Sequence, residues 1–203
     1  MNPGALIEST LTLENAKRRT AQVLSVLGHP FLFTPIIALI VGWRMLAPLE
    51  AVLGVLTVVL ACLVPVSLYI WLKVRRGKWS NLDVSERKDR PHLFAIGIAL
   101  LLFACLALYL THQPSAFIRG CAAAMVLVGA AWGANLWIKP SMHAGFAMLT
   151  SCSLWPLGPR IALPSIFFSI LVGWSRATLH RHTRLEVVIG LLLGAIVARL
   201  FMY

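Results

Sequence analysis

The stretch HLFAIGIALLLFACLALYLT, residues 92–111, contains no Asp, Glu, Lys or Arg. An α-helix rises 1.5 Å per residue, so an apolar run of about 20 residues crosses the ~30 Å hydrocarbon core of a bilayer. The next apolar run, 117–138, carries one charged residue, Arg119. Two such runs in succession indicate a helical membrane protein rather than a soluble domain.

The composition extends this interpretation to the whole chain. Of its 203 residues, 59% are hydrophobic and 12% are charged, and the mean hydropathy is +0.83, whereas soluble domains carry about 25% charged residues. We expect an all-α, polytopic membrane helical bundle with about six to seven spanning segments. It would form a single membrane-embedded domain over residues 21–203, preceded by a polar N-terminal flank over residues 1–20. The apolar segments lie near 28–46, 50–73, 92–111, 117–138, 144–157, 160–175 and 186–202.

The net charge of +11 indicates an anionic partner. Nucleic acid does not fit, because the basic residues are not interleaved with exposed aromatic residues on a soluble face. Anionic lipid headgroups or an anionic substrate fit better. When the loops are assigned alternately to the two sides, most of the 18 Lys and Arg residues fall on the side of loops 74–91, 139–143 and 176–185. The positive-inside rule then places that side in the cytoplasm, in a multi-pass protein of a bacterial inner membrane.

Three polar clusters interrupt the apolar pattern on that same side. They read NLDVSERKDRPH at 81–92, KPSMH at 139–143 and SRATLHRHTRLE at 175–186. Two predicted crossings separate the first cluster from the second, and two more separate the second from the third. An even number of crossings returns the chain to the same face, so the three clusters are expected to meet at one membrane surface.

The clusters contain residue types suited to phosphate chemistry. Arg90 and Arg176 offer planar, bidentate donors for phosphate oxygens, and Ser141 offers a hydroxyl. Glu186 follows His182 by four residues, a spacing that places both side chains on one helix face. A carboxylate there can hold one ring nitrogen and leave the other free to attack. No set of Asp, Glu, His or Cys residues has metal-ligand spacing, so we expect neither metal nor cofactor.

The pattern resembles the type 2 phosphatidic acid phosphatase (PAP2) superfamily, in its integral membrane lipid phosphatase branch. That family has three motifs: a Lys followed after six residues by Arg-Pro, then Pro-Ser-Gly-His, then Ser-Arg, five residues, His, three residues and Asp. This chain has Arg90-Pro91, Pro140-Ser141-Met142-His143, and Ser175-Arg176 followed by His182 and Glu186. The three motifs occur in the family's order over roughly residues 80–190, and the resemblance implies a PAP2-like core of the bundle.

The resemblance also implies the roles of individual residues. His182 would attack phosphorus to form a phosphohistidine, with Glu186 orienting its ring. His143 would protonate the leaving group and later activate water. The residues that would bind the phosphoryl oxygens are Arg90, Arg176 and Ser141.

The chain departs from the family pattern most clearly in the first motif. Asp83 stands where the family has Lys, and a carboxylate cannot replace a cation as a phosphate ligand. Asp83 is expected either in an ion pair with Arg90 or Arg87 or in contact with a substrate headgroup. The missing positive charge would come from Lys78, Arg87 or Lys88. Glu186 replaces Asp with one extra methylene group and the same chemistry.

The remaining histidines have no place in the motifs. His29 and His112 are expected to be ordinary interfacial residues, and His180 a bystander or a residue at the rim of the pocket. His92 could line the entrance or have a structural role.

The sequence therefore predicts a metal-independent phosphatase that hydrolyses a lipid phosphate or a prenyl (di)phosphate through a phosphohistidine. Its partners would be that membrane lipid and the bilayer. Two alternatives stay open: a lipid phosphotransferase that uses the same site, and a non-enzymatic membrane transporter of an anionic solute.

Overall fold

The computed structural model describes residues 3–84 and 86–202, and within them the fold is all-α with no strand. The predicted all-α membrane bundle is confirmed. The helices are α1 (Pro3–Leu27), α2 (Pro30–Met45), α3 (Pro48–Val58), α4 (Val64–Arg75), α5 (Arg90–Leu110), α6 (Ser115–Ala134), α7 (Met142–Cys152), α8 (Pro159–Thr178) and α9 (Arg184–Met202).

Among the described residues, four helical segments are long and apolar enough to cross a membrane: Pro48–Arg75, Arg87–Leu110, Ser115–Ala134 and Pro159–Thr178. A fifth crossing results if the bent pair α1–α2 is one span. This count is below the six to seven segments expected from the sequence. Two predicted segments account for the difference. Segment 144–157 contains α7, which has only 11 residues and spans about 16 Å. Segment 186–202 lies in α9, which carries the charged residues Arg184, Glu186 and Arg199.

The described part of the N-terminal flank is helical, and the helix continues beyond it. Residues 1–2 of the predicted flank lie outside the described residues, and residues 3–20 belong to α1, which continues to Leu27. The helix passes through the expected boundary at residue 20 because it packs against α8, with Ala21 and Ser25 buried. The described part of the flank is therefore joined to the bundle.

A sharp bend of 56° joins α1 to α2. Pro30 takes the first position of α2, where its missing N–H costs no helical hydrogen bond. His29 caps the helix, since its Nδ1 accepts a hydrogen bond of 3.2 Å from the Phe31 N–H. The bend thus places a histidine side chain at the end of the bundle where the polar clusters lie.

α3 and α4 form one long helical segment with a single π turn, Val59–Leu63. The turn directly precedes Pro65, which has no N–H to donate and whose ring crowds the preceding turn. The amide of Val64 accordingly donates to the Val59 carbonyl, five residues back. The wider turn lets the segment continue past the proline.

The short helix α7 lies at the centre of the bundle and packs against α9, α8 and α2. Its contact with α9 depends on two glycines four residues apart, Gly190 and Gly194. A Cβ atom at Gly190 would lie 2.4 Å from the Ser141 carbonyl oxygen, and one at Gly194 would lie 2.2 Å from the Gly145 carbonyl oxygen. The α9 backbone therefore lies directly against the start of α7, as small residues allow in membrane helix pairs.

Candidate active site

His182 and Glu186 lie where α8 turns into α9. Glu186 Oε2 is 3.0 Å from His182 Nδ1 and also accepts a 3.0 Å hydrogen bond from the Thr183 N–H. The Glu186 N–H donates to Thr183 Oγ1 at 3.3 Å, which completes a capping box at the start of α9. Glu186 thus fixes both the helix start and the ring of His182, which is buried.

Arg176 is buried at the last turn of α8. Its Nη2 donates to Asp83 Oδ2 at 2.9 Å, and its Nη1 donates to Ser25 Oγ at 2.8 Å. Its Nε is buried without a hydrogen-bond partner. Asp83 therefore forms an ion pair, but its partner is Arg176 rather than the expected Arg90 or Arg87.

Arg90 occupies the first turn of α5 and is also buried. Its Nη1 donates to the Pro140 carbonyl at 2.9 Å, and its Nε donates to the Val84 carbonyl at 3.3 Å. These bonds connect the first polar cluster with the second, since Pro140 opens the motif that contains His143.

His143 lies one residue inside α7, whose N-cap is Ser141. Ser141 is fully buried, its Oγ accepts from the Ala144 N–H at 3.5 Å, and its own N–H donates to the Glu186 carbonyl at 3.0 Å. His143 Nε2 is 4.0 Å from Asp83 Oδ1 and has no hydrogen-bond partner. The hydroxyl of Ser141 is thus used at the helix start, whereas a buried ring nitrogen of His143 is left without a partner.

His29 was not assigned to the site from the sequence, yet its ring lies against His143. The ring centroids are 4.8 Å apart in an edge-to-face arrangement. The 56° bend between α1 and α2 makes this contact, and no local sequence pattern reports it.

Two predicted phosphate ligands are placed away from this centre. Arg87 is exposed, and its guanidinium donates to the carbonyls of Asn135 and Leu136 at the end of α6. Lys78 is exposed, and neither residue lines the cavity described below. Instead, Arg181 Nε lies 3.9 Å from Asp83 Oδ2.

Lys139 is a further cation near the site that the sequence left without a role. Its Nζ donates to the Arg181 carbonyl at 3.3 Å. Partial burial lowers the pKa of its amine, and the nearby charge of Glu186 acts in the opposite direction.

The surroundings of His182 and His143 disfavour protonation of both rings. The pKa of His182 is lowered from 6.5 to about 3, chiefly because the ring is buried. Next in size is repulsion by the cations Arg90, Lys139 and Arg176, while a hydrogen bond with the Lys139 backbone acts in the opposite direction. The pKa of His143 is lowered well below 6.5, again first by burial and then by Arg176. Both rings are neutral near pH 7 when no anion is bound.

A cavity of about 550 Å³ opens at this centre. Its polar lining residues here are His29, Asp83, Arg90, His143, Arg176 and His182. Beyond them the lining consists mainly of apolar side chains of α2, α3, α5 and α6. The site is therefore amphiphilic, with a cationic end joined to an apolar space.

Three of these residues could hold a metal ion. His29, Asp83 and His143 bring potential ligand atoms within 4.8 Å of one another. Two imidazoles and a carboxylate suit zinc, although Asp83 is already paired with Arg176. The sequence did not predict this set, because its members come from three separate parts of the chain.

Neither a search of curated proteins nor a search of solved structures found a match. The family model of the PAP2 superfamily matches residues 134–203. This segment contains the second and third motifs, from Pro140 to Glu186, and leaves Asp83 and Arg90 outside. The resemblance to the PAP2 superfamily predicted from the motifs is therefore confirmed over residues 134–203.

Proposed function

We propose that this protein is a metal-independent membrane phosphatase that hydrolyses a lipid phosphate or a prenyl (di)phosphate through a phosphohistidine. One observation carries the proposal. His182 Nδ1 is held by Glu186 at 3.0 Å, and His182 lines a cavity together with Arg90, Arg176 and His143. An oriented nucleophile beside two buried arginines and a second imidazole is suited to phosphoryl transfer.

The first step is binding of the phosphoryl group. Arg176 would turn its guanidinium from Asp83 towards the anion, with the unpartnered Nε as an additional donor. Arg90 would contribute the second charge. The anion offsets the positive charge around the two imidazoles, so binding raises their pKa values.

Phosphoryl transfer follows in the second step. His182 Nε2 attacks phosphorus, a phosphorus–nitrogen bond forms, and the bond from phosphorus to the leaving oxygen breaks. His143 Nε2, protonated once the anion is bound, gives its proton to that oxygen. Glu186 stabilises the positive charge that develops on the His182 ring.

Hydrolysis of the intermediate returns the site to its first state. The now neutral His143 takes a proton from water as the water oxygen attacks phosphorus. The phosphorus–nitrogen bond breaks, and its electron pair returns to His182. Inorganic phosphate leaves, and His143 loses its proton to the departing phosphate or to solvent. Asp83 can then pair again with Arg176.

The test is phosphate release from lipid phosphates in detergent with excess chelator. We compare the parent with His182→Asn and with the matched control His180→Asn. His180 is exposed, has a φ of 54° and does not line the cavity, and Asn tolerates that conformation. We expect His182→Asn to lose activity and His180→Asn to keep it; equal activity in the two variants would refute the proposal.

The same experiment tests the metal-free part separately. If the chelator abolishes activity and zinc restores it, the cluster of His29, Asp83 and His143 takes the role of metal site. Product analysis separates hydrolysis from transfer, because a phosphotransferase yields little free phosphate.

A further inference from the structure

The cavity continues far beyond the phosphate-binding end. Along α2 its lining begins at His29 and Pro30 and reaches Val41, Gly42 and Met45. Sixteen residues of helix span about 24 Å, which approaches the ~30 Å thickness of a bilayer hydrocarbon core. The described part of the chain thus lines a partly open, mainly apolar space almost as deep as the membrane.

Two helices of opposite direction form another wall. On α5 the lining runs from Arg90 through Gly97 to Leu101, and on α6 it runs from Val128 back to Gly120 and Phe117. The charged groups of the candidate site are gathered at the Arg90 end. One continuous space therefore joins an anion-binding end to an apolar interior.

Building on the proposed function, we propose that this interior holds the hydrocarbon tail of the substrate inside the bundle and limits its length. The occupant follows from the chemistry of the walls. Arginines and imidazoles at one end suit a phosphate. The rest of the lining is mainly apolar, which suits an unbranched or prenyl chain, and its polar members are Thr34, Ser115, Arg119, Thr150 and Ser153. The protein limits the length of a tail that is bound in this space, whereas it does not limit the length of a tail that stays in the bilayer.

Two glycines mark two depths along this space. Gly97 lies seven residues from Arg90 on α5, about 10 Å into the cavity. A Cβ atom at Gly97 would meet only Val128 Cγ1, at 4.0 Å. Gly120 lies eight residues beyond Val128 along α6, about 12 Å deeper, and a Cβ atom there would meet nothing within 4 Å. Larger side chains at these positions fit the helices and fill the cavity.

The experiment measures KM for butyl, dodecyl and eicosyl phosphate in mixed micelles, for the parent, Gly97→Leu and Gly120→Leu. We expect Gly120→Leu to raise KM for eicosyl phosphate alone. Gly97→Leu should raise KM for both longer phosphates. The expected rise is about tenfold or more, the scale on which hydrophobic pockets discriminate single methylene groups. Butyl phosphate turnover should stay unchanged and reports that each variant is folded.

The matched control is Gly129→Leu. Gly129 lies on α6 like Gly120, is half-buried, and has nothing within 4 Å of an added Cβ atom, but it does not line the cavity. Its substitution should leave all three KM values at those of the parent. If Gly129→Leu shifts the chain-length profile as Gly120→Leu does, the cavity is not the cause and the inference is wrong.

The remaining outcomes separate the inference from the proposed function. A parent that releases phosphate from none of the three compounds contradicts the phosphatase proposal itself. A parent that is active, with variants whose chain-length profile is unaltered, contradicts only the tail subsite. If Gly120→Leu loses butyl phosphate turnover, the test is repeated with Gly120→Ala. This variant adds only one methyl group, in open space.

Discussion

Asp83 is the residue in which this site differs most from the PAP2 motif pattern that the sequence resembles. It occupies the lysine position of the first motif, yet it contributes a carboxylate that pairs with the buried Arg176 at 2.9 Å. Its other oxygen lies 4.0 Å from the unpartnered Nε2 of His143. Asp83 therefore occupies a place suited to an anion, and in the proposed reaction the substrate phosphate would displace it.

Replacing Asp83 should consequently strengthen phosphate binding. We expect Asp83→Asn to lower the Kd for orthovanadate, a phosphate analogue, by about tenfold, the scale of one hydrogen bond to a charged group. Titration calorimetry measures this without catalytic turnover. Asp89→Asn, a neighbouring carboxylate outside the cavity lining, is the control. Weaker binding by Asp83→Asn would mean that Asp83 holds Arg176 in its binding position.

The buried histidines make stability depend on pH. The pKa of His182 is about 3 in the folded protein and 6.5 as its ordinary value, so between these values the unfolded chain binds more protons. Stability therefore rises with pH across this window and falls as the solution is acidified, by about 1.4 kcal/mol per pH unit well inside it.

Thermal unfolding in detergent at about pH 7 and about pH 5 tests this linkage. The parent should lose more stability on acidification than His182→Asn, in which the titrating ring is absent. His180→Asn, at an exposed position, should behave as the parent does. An identical loss in His182→Asn and the parent would show that the His182 ring is not held neutral.

At the scale of elements, the contact between α7 and α9 connects the motifs. α7 is too short to cross a bilayer, and it is surrounded by other helices. Gly190 and Gly194 let the α9 backbone approach the Ser141 and Gly145 carbonyls. The hydrogen bond from the Ser141 N–H to the Glu186 carbonyl lies at the same junction, so the second and third motifs share one backbone interface.

A methyl group in this interface should destabilise the bundle. Because an added Cβ atom at Gly194 would lie 2.2 Å from the Gly145 carbonyl oxygen, we expect Gly194→Ala to cost about 1–3 kcal/mol, the usual range for overpacking. Gly129→Ala has open space around the new atom and serves as the control. Equal melting temperatures for the two variants in detergent would contradict the close approach of α7 and α9.

For the molecule as a whole, the charge distribution predicts which side the site faces. We propose that the loop 76–86 is cytoplasmic. Ser80→Cys, at an exposed position, should react with an impermeant thiol reagent only after cell lysis, whereas Thr111→Cys in the loop between α5 and α6 should react in intact cells. The native cysteines are buried or half-buried, which limits background labelling. Labelling of Ser80→Cys in intact cells would reverse the orientation.

Features that depend on local geometry were predictable from the sequence. The apolar runs predicted helices. The spacing of His182 and Glu186 predicted a pair of side chains, which lie 3.0 Å apart because both residues lie at the start of one helix. The number of spans was not predictable in the same way, since α7 is apolar because it is buried by protein rather than by lipid. The catalytic roles of these residues stay predictions.

Individual residue contacts that depend on the tertiary fold could not be predicted from the sequence. The ring of His29 contacts that of His143 only because the chain bends after α1. The guanidinium of Arg87 donates to a backbone carbonyl at the end of α6. Asp83 and Arg176 are 93 residues apart along the chain; their polar clusters were expected to meet, but this pairing was not predicted. Individual long-range contacts of this kind leave no periodic trace in the sequence.

The hydrogen bond between Arg176 and Ser25 spans 151 residues, and Glu186 lies later in the sequence than both. A ribosome makes Ser25 long before Glu186, so the complete set of groups cannot assemble until synthesis has passed Glu186. Chains arrested before residue 182 would lack His182 and Glu186 and so could not carry out the proposed reaction. Under the proposed mechanism, such incomplete chains would be catalytically silent.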